Sequence, residues 1–207
     1  MDSKERIILK SLTLFNKEGF CNTSMRTLAK ACKMSLSNLQ YYFKNKEKLL
    51  ESIFDEMCVV FDNTTNFKSK GASLTLLANM DTLWREFQHQ YKFFFTEISA
   101  ILQSHTSIQK KFIGIKKKRI HEYNLLFHAY AEVGIFRREP HSGFFYKQGE
   151  LLWFTANFYL SSQLAEGKKY SEQTQFETNI MASNLIYPLL TEKGIQELMK
   201  LNYQRHD

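Results

Sequence analysis

Apolar positions recur at helical spacing almost from the first residue. Ile8, Leu12 and Phe15 share one face, Asp2 with Glu5 three residues on forms a capping box, and Gly19 stops the run, so the pattern predicts a first helix. After the polar turn Cys21-Asn22-Thr23, Ser24 caps a short helix carrying Leu28, Ala29 and Cys32. Ser35 caps a third, from Leu36 to about Tyr42, and Asn45 caps a long fourth, from Lys46 to about Phe61.

Past an Asn/Thr/Lys/Ser/Gly linker at 62–73, Leu76, Met80, Leu83 and Phe87 form an amphipathic helix reaching Tyr91. Phe93 to Leu102 is a further helix. Thr106 to Ala131 is a long one with a basic first half (Lys110, Lys111, Lys116, Lys117, Lys118, Arg119), read as a solvated face, and it ends at Gly134. Pro140 marks a loop. Gln148 to Ala165 is apolar on most faces, which predicts burial from more than one side. Ser171 to Leu190 is the last long helix, bent by Pro188, and Gly194 to Leu201 is a short amphipathic tail.

Composition agrees with an all-α chain of about nine to ten helices. Of 207 residues 43% are hydrophobic and 24% charged, with only 2 Pro and 8 Gly, which disfavours disorder and short-stranded β folds. The net charge of +7 sharpens when divided: residues 1–50 hold ten basic and four acidic side chains, net +6, against 18 and 17 in the remainder. The expected organisation is therefore a basic three-helix head, 1–48, and a nearly neutral, aromatic-rich helical body, 49–207.

Several classes are disfavoured. No G-x-G-x-x-G, P-loop or G-x-S-x-G occurs, and His121-Glu122 lacks the His three residues on that a zincin requires, so no enzyme, cofactor or metal is expected. His121 and His128 read as core or pocket residues. Cys21, Cys32 and Cys58 contain no C-x-x-C pair and read as buried thiols. No apolar run is long enough to span a membrane and the N-terminus is not a signal peptide, so the expected location is the cytoplasm.

A short helix, a tight turn and a second short helix in a basic segment are the parts of a helix-turn-helix, whose second helix enters the DNA major groove. Leu36, Ser37 and Asn38 then open the reading helix, and Ser24, Arg26 and Thr27 approach the same groove from the helix before it. Tyr41, Tyr42 and Lys46 reach for phosphates, with Tyr41 open between packing and contact. Lys46 stands at a helix N-terminus, where ammonium and free backbone N–H groups can hold one phosphate together.

The stretch Thr23-Ser24-Met25-Arg26-Thr27-Leu28-Ala29-Lys30-Ala31-Cys32, followed by Met34-Ser35-Leu36-Ser37-Asn38-Leu39-Gln40-Tyr41-Tyr42-Phe43-Lys44-Asn45-Lys46-Glu47-Lys48-Leu49-Leu50, resembles the TetR family of bacterial repressors, with Gly19-Phe20 in register upstream. Leu83-Trp84-Arg85-Glu86-Phe87 and Phe93-Phe94-Phe95 resemble a Trp/Phe-rich subgroup. Departures are Lys33 where the family turn has Gly, Leu36-Ser37 where Pro-Gly is common, and Gln40 and Tyr42 where Tyr and His stand; the resemblance implies that Gln40 replaces a phosphate-contacting tyrosine, whose bond its amide can supply. A non-glycine residue at that turn either avoids positive φ or costs about 1 kcal/mol.

The resemblance implies a sequence-specific regulator, a repressor with activation left open, bound to palindromic double-stranded DNA. It implies a homodimer through the last two long helices, 148–165 and 171–190, and a small, largely apolar effector inside the body. The implied ligand residues are Trp84, Phe87, Phe94, Phe95, Tyr123, Phe127 and Trp153, with His121, Asn124 and His128 as polar contacts. The alternative is an all-helical enzyme or carrier for an apolar molecule, and the concentration of charge in the head speaks against it.

Overall fold

The computed structural model describes residues 2–65 and 72–203, and among these the chain is all-α. The helices are α1 (Ser3–Glu18), α2 (Met25–Ala31), α3 (Leu36–Tyr42), α4 (Lys46–Thr65), α5 (Leu74–Gln90), α6 (Lys92–Ser104), α7 (Thr106–Glu132), α8 (Phe144–Ala165), α9 (Glu172–Ile186) and α10 (Glu192–Tyr203), with a 3-10 turn, Tyr187–Leu189, after α9. Of the expected linker, residues 62–65 are the last turn of α4 and 66–71 lie outside the described residues.

The helix starts are closed by the side chains the sequence offers. Glu5 accepts the Asp2 N–H at 2.9 Å, Ser24 the Thr27 N–H at 3.1 Å, Ser35 the Asn38 N–H at 3.1 Å and Asn45 the Lys48 N–H at 2.9 Å. The turn between α2 and α3 resolves the question raised by Lys33: its φ is +56, so it accepts the left-handed conformation. Lys33 N–H bonds to Lys30 O at 3.1 Å and Met34 N–H to Ala29 O at 3.0 Å, the pairing that ends a helix on a left-handed residue.

Two compact units form, and they do not follow a single cut of the chain: Met1–Phe61 with Gln88–Ile113 in one, Asp62–Phe87 with Gly114–Asp207 in the other. In the first, α1 to α3 and most of α4 close around Phe15, Phe20, Leu28, Leu39, Phe43, Leu49 and Ile53. The aromatic run of α6 completes that core, with Phe93 5.3 Å from Phe15 and Phe94 5.4 Å from Phe54 between ring centroids. Such tilted ring pairs add to area burial.

The second unit is built on α8 and α9, which pack along each other. Gln148 Nε2 donates to Leu185 O at 2.6 Å, and Gln163 Nε2 to Thr174 O at 3.0 Å and Thr178 Oγ1 at 3.1 Å. Tyr123, Phe127, Tyr130, Phe136, Phe145, Leu189 and Leu190 form its core. The helix expected from Gln148 begins a turn earlier, at Phe144, because Glu139 reaches forward to accept the Phe145 N–H at 2.9 Å. Pro188 ends α9 in the 3-10 turn, as its missing N–H requires.

Candidate nucleic-acid interface and ligand cavity

In the first unit, Leu28 and Leu39 are fully buried, and they hold α2 and α3 from beneath. The opposite faces carry side chains in solvent. Ser24, Arg26, Thr27, Ser37, Asn38, Gln40 and Tyr41 are exposed, Tyr41 at 84%, while Leu36 and Tyr42 are half-buried. Tyr41 and Tyr42 stand edge to face at 5.3 Å. Exposed hydroxyl, amide, guanidinium and phenol groups beside two helix starts are suited to base edges and phosphate oxygens.

Lys46 departs from the expectation of a phosphate ligand. Its ammonium donates to Phe20 O and to Thr23 O, each at 2.9 Å, and lies 4.2 Å above the Phe20 ring. Burial holds it below the usual lysine range, with the fields of Cys21 and Glu97 opposing. It therefore ties α4 to the connection between α1 and α2, because the carbonyls of Phe20, which also accepts the Thr23 N–H at 3.1 Å, and of Thr23 sit within its reach. From the other side Glu97 of α6 accepts the N–H of Phe20 and of Cys21, both at 2.8 Å. Sequence reasoning missed Glu97, since nothing local to α6 marks it.

The cysteines correct another expectation: Cys21 is exposed and Cys32 and Cys58 half-buried. Burial of its thiol, then its hydrogen bond to Glu97, nevertheless pushes Cys21 up to about 11. It is a poor nucleophile at neutral pH.

The basic run of α7 is only in part a solvated face. Within the first unit Lys111 pairs with Asp55 at 2.7 Å. Within the second, Lys118 pairs with Asp62 at 2.7 Å, and Arg119, 2% exposed, is held by Asp62 and by Glu122 at 2.7 Å. Three of the six cations are thus neutralised by acidic residues, two of which lie on α4.

The second unit holds a partly open cavity of about 310 Å³, between α5, α7, α8, α9 and the middle of α10. Trp84, Tyr123 and Phe127 of the expected ligand set line it, together with Leu76, Met80, Leu126, Tyr130, Leu152 and Ile186. The others do not. Phe94 and Phe95 are 1% exposed in the core of the first unit, where a ring fills space as well as it would line a pocket. Phe87 packs tilted against Trp84 at 5.6 Å, Asn124 and Trp153 stand outside the lining, His121 is exposed, and His128 lies edge-on to Phe145 at 5.0 Å. Lining residues absent from the expected set include Asp81, Asn179 and Ser183. Among the described residues no helix is long and apolar enough to cross a membrane, and no cluster of His, Cys, Asp and Glu could hold a metal ion.

Residues 7–53 match the family described as bacterial regulatory proteins, tetR family, and residues 60–198 match one described as bacterial transcriptional repressor. A probable HTH-type transcriptional regulator of Bacillus subtilis, YttP, is 34% identical over 64 residues, 31% of each chain. A second from that organism, the uncharacterized regulator YuxN, is 37% identical over 75 residues, 35% of this chain and 26% of that one. The matched stretches thus span about a third or less of these curated relatives. A TetR-family regulator from Marinobacter aquaeolei VT8 superposes with TM-score 0.83 at 20% identity, over 99% of this chain and 98% of that one. One from Haloarcula marismortui superposes with TM-score 0.72 at 13% identity, over 92% and 99%. At these identities the structural likeness speaks to the fold.

Proposed function

This chain belongs to the TetR family of bacterial transcriptional regulators, and from that premise we propose that it is a homodimeric repressor released from a palindromic operator by a small, largely apolar ligand. The observation that carries the reading is the exposed set Arg26, Thr27, Ser37, Asn38, Gln40 and Tyr41 on two capped, firmly seated helices. A reading helix needs both: free polar tips, and a base that does not move.

The dimer is supported by the outward faces of α8 and α9. Leu151 is 50% exposed, Phe154 61% and Phe176 47%, with Ile180 and Met181 also in solvent, and Phe154 stacks on Phe158 at 5.7 Å. Contiguous apolar surface of this kind marks an interaction site. On a two-fold axis the two helices of each copy would form a four-helix bundle, and a palindrome read by one dimer needs recognition helices about 34–36 Å apart.

The effector reading rests on the cavity. One face of α9 lines it through Asn179, Ala182, Ser183 and Ile186, while Phe176 and Ile180 of the same helix face outward. A ligand that packs better against one position of α9 biases the dimer toward the spacing compatible with that position, and only such a difference in affinity shifts the equilibrium. The enzyme-or-carrier alternative loses support, because the family's members are regulators and not enzymes.

Selection of bound sequences from a random duplex pool with the purified full chain tests the proposal. An inverted repeat with half-sites one helical turn apart is the expected yield; no enrichment, or enrichment of a lone half-site, overturns it. A reporter behind the selected sequence then separates repression from activation.

A further inference from the structure

The cavity's lining contains one buried acceptor, Asn179 Oδ1, with nothing to accept from among the described residues. Asp81 is the one ionisable carboxylate among the lining residues, and no Lys, Arg or His lines the cavity with it. Asn179, on α9, is 3% exposed, and its Oδ1 receives no hydrogen bond among the described residues. Its Nδ2 makes a long contact, 3.5 Å, to the Asp81 carbonyl, and one turn away Gln175 Nε2 reaches Arg85 O at the same distance. These two bridges lay α9 along α5 and bring Asn179 beside Asp81. Ser183, a turn further along α9, continues the same polar strip.

A buried amide oxygen without a donor is destabilising, and a half-buried carboxylate adds to the penalty, so neither is a stabilising ornament of an apolar pocket. Burial holds the Asp81 carboxyl above its usual range, with Arg85, one turn on along α5 and outside the lining, opposing. The remaining walls are largely apolar, Leu76, Leu77, Met80, Trp84, Leu126 and Phe127 among them, with Asn184 and three tyrosines, Tyr123, Tyr130 and Tyr187, as further polar side chains. An anion entering here would meet a carboxylate and no cation. A neutral apolar molecule would leave Asn179 Oδ1 unmatched and would cover the Asp81 carboxyl without pairing it. A protonated nitrogen bearing N–H groups would satisfy both, in a setting where charge-assisted bonds are strong.

We propose that the effector is an amphiphilic amine, its apolar body against the aromatic and aliphatic walls and its protonated nitrogen donating to Asp81 and to Asn179 Oδ1. This rests on the reading of the cavity as the effector site. Trp84 lines the cavity and reports occupancy by its fluorescence.

The test compares decylamine, 1-decanol and decanoate on the full-length protein, below micelle formation, by Trp84 fluorescence and calorimetry. The amine is expected to bind about tenfold or more tighter than the alcohol, with decanoate weakest. Asp81→Asn, close to isosteric, should bring the amine down to about the alcohol's affinity. If decanol or decanoate binds as tightly as the amine, the headgroup assignment is overturned while the effector cavity stands. An amine preference that survives in both Asp81→Asn and Asn179→Leu overturns it equally, by placing the nitrogen elsewhere. If none of the three binds, the effector reading of the cavity falls and the amine goes with it.

Discussion

Glu97 Oε1 accepts the Phe20 N–H at 2.8 Å across 77 residues of sequence, and the same oxygen would lie 2.7 Å from a Cβ at Gly19. Gly19 is therefore constrained twice, by its φ of +87 and by the carboxylate beside it. Gly19→Ala should cost about 1–3 kcal/mol through backbone strain and the displaced anchor, and Glu97→Gln about 1 kcal/mol through the loss of a charge-assisted bond. Urea unfolding of the two variants measures both. An unchanged midpoint for Gly19→Ala would show that the loop yields freely.

The altered role of Lys46 separates two kinds of DNA-binding defect. Arg26→Ala should weaken binding to all sequences and leave stability unchanged, because Arg26 is exposed. Lys46→Ala should lower stability by about 1–2 kcal/mol, since two charge-assisted bonds to the carbonyls of Phe20 and Thr23 are lost, and weaken DNA binding only as a consequence. Ser37→Ala or Asn38→Ala should change which base is preferred, a discrimination of about 1–3 kcal/mol for a good contact. Thermal melts beside competition binding distinguish the three.

At the exposed face of α8 and α9, Phe154→Glu combined with Ile180→Asp places charges on both helices of the proposed interface. The expected outcome, by sedimentation or light scattering, is a folded monomer that has lost most operator affinity. A double variant that remains dimeric would put the interface elsewhere.

Asp62 sets a pH dependence. Burial alone would raise its carboxyl, but hydrogen bonds from Lys118 and Arg119 outweigh that and hold it below the usual aspartate value. A lowered pKa in the folded state gives stability that is present above the ordinary aspartate range and lost as pH falls through the lowered value. With the Asp62 side chain 40% exposed, screening limits the effect to about 1 kcal/mol. Asp62→Asn should be less stable than the parent by that amount at neutral pH and equal to it in strong acid, as read from urea midpoints.

What could be read from the chain was local. Ser24, Ser35 and Asn45 each cap a helix by bonding three residues ahead, so the signal and its consequence share one turn. The exposed tips of α2 and α3 follow from the same few residues. Lys46 and Glu97 could not be read that way: each acts on a loop more than twenty residues away, and only the fold brings them there. Phe94 and Phe95 illustrate a different limit, because an aromatic residue has the same hydropathy in a core as in a pocket. Asp81 and Asn179 lie 98 residues apart and meet only through the packing of α5 on α9. Asp81 falls off the Leu76, Met80, Leu83 stripe, so nothing in the sequence marked it as a lining residue.

The central claim, that the exposed helix-turn-helix reads one DNA sequence, is tested most directly by the affinity of the full-length protein for its selected duplex and for a scrambled one across a salt series. Both should weaken as salt rises, with a slope of about −0.9 for each phosphate neutralised, and the selected duplex should keep a preference of at least about 10³ at every salt. Equal affinity for the two duplexes, or binding indifferent to salt, would contradict it.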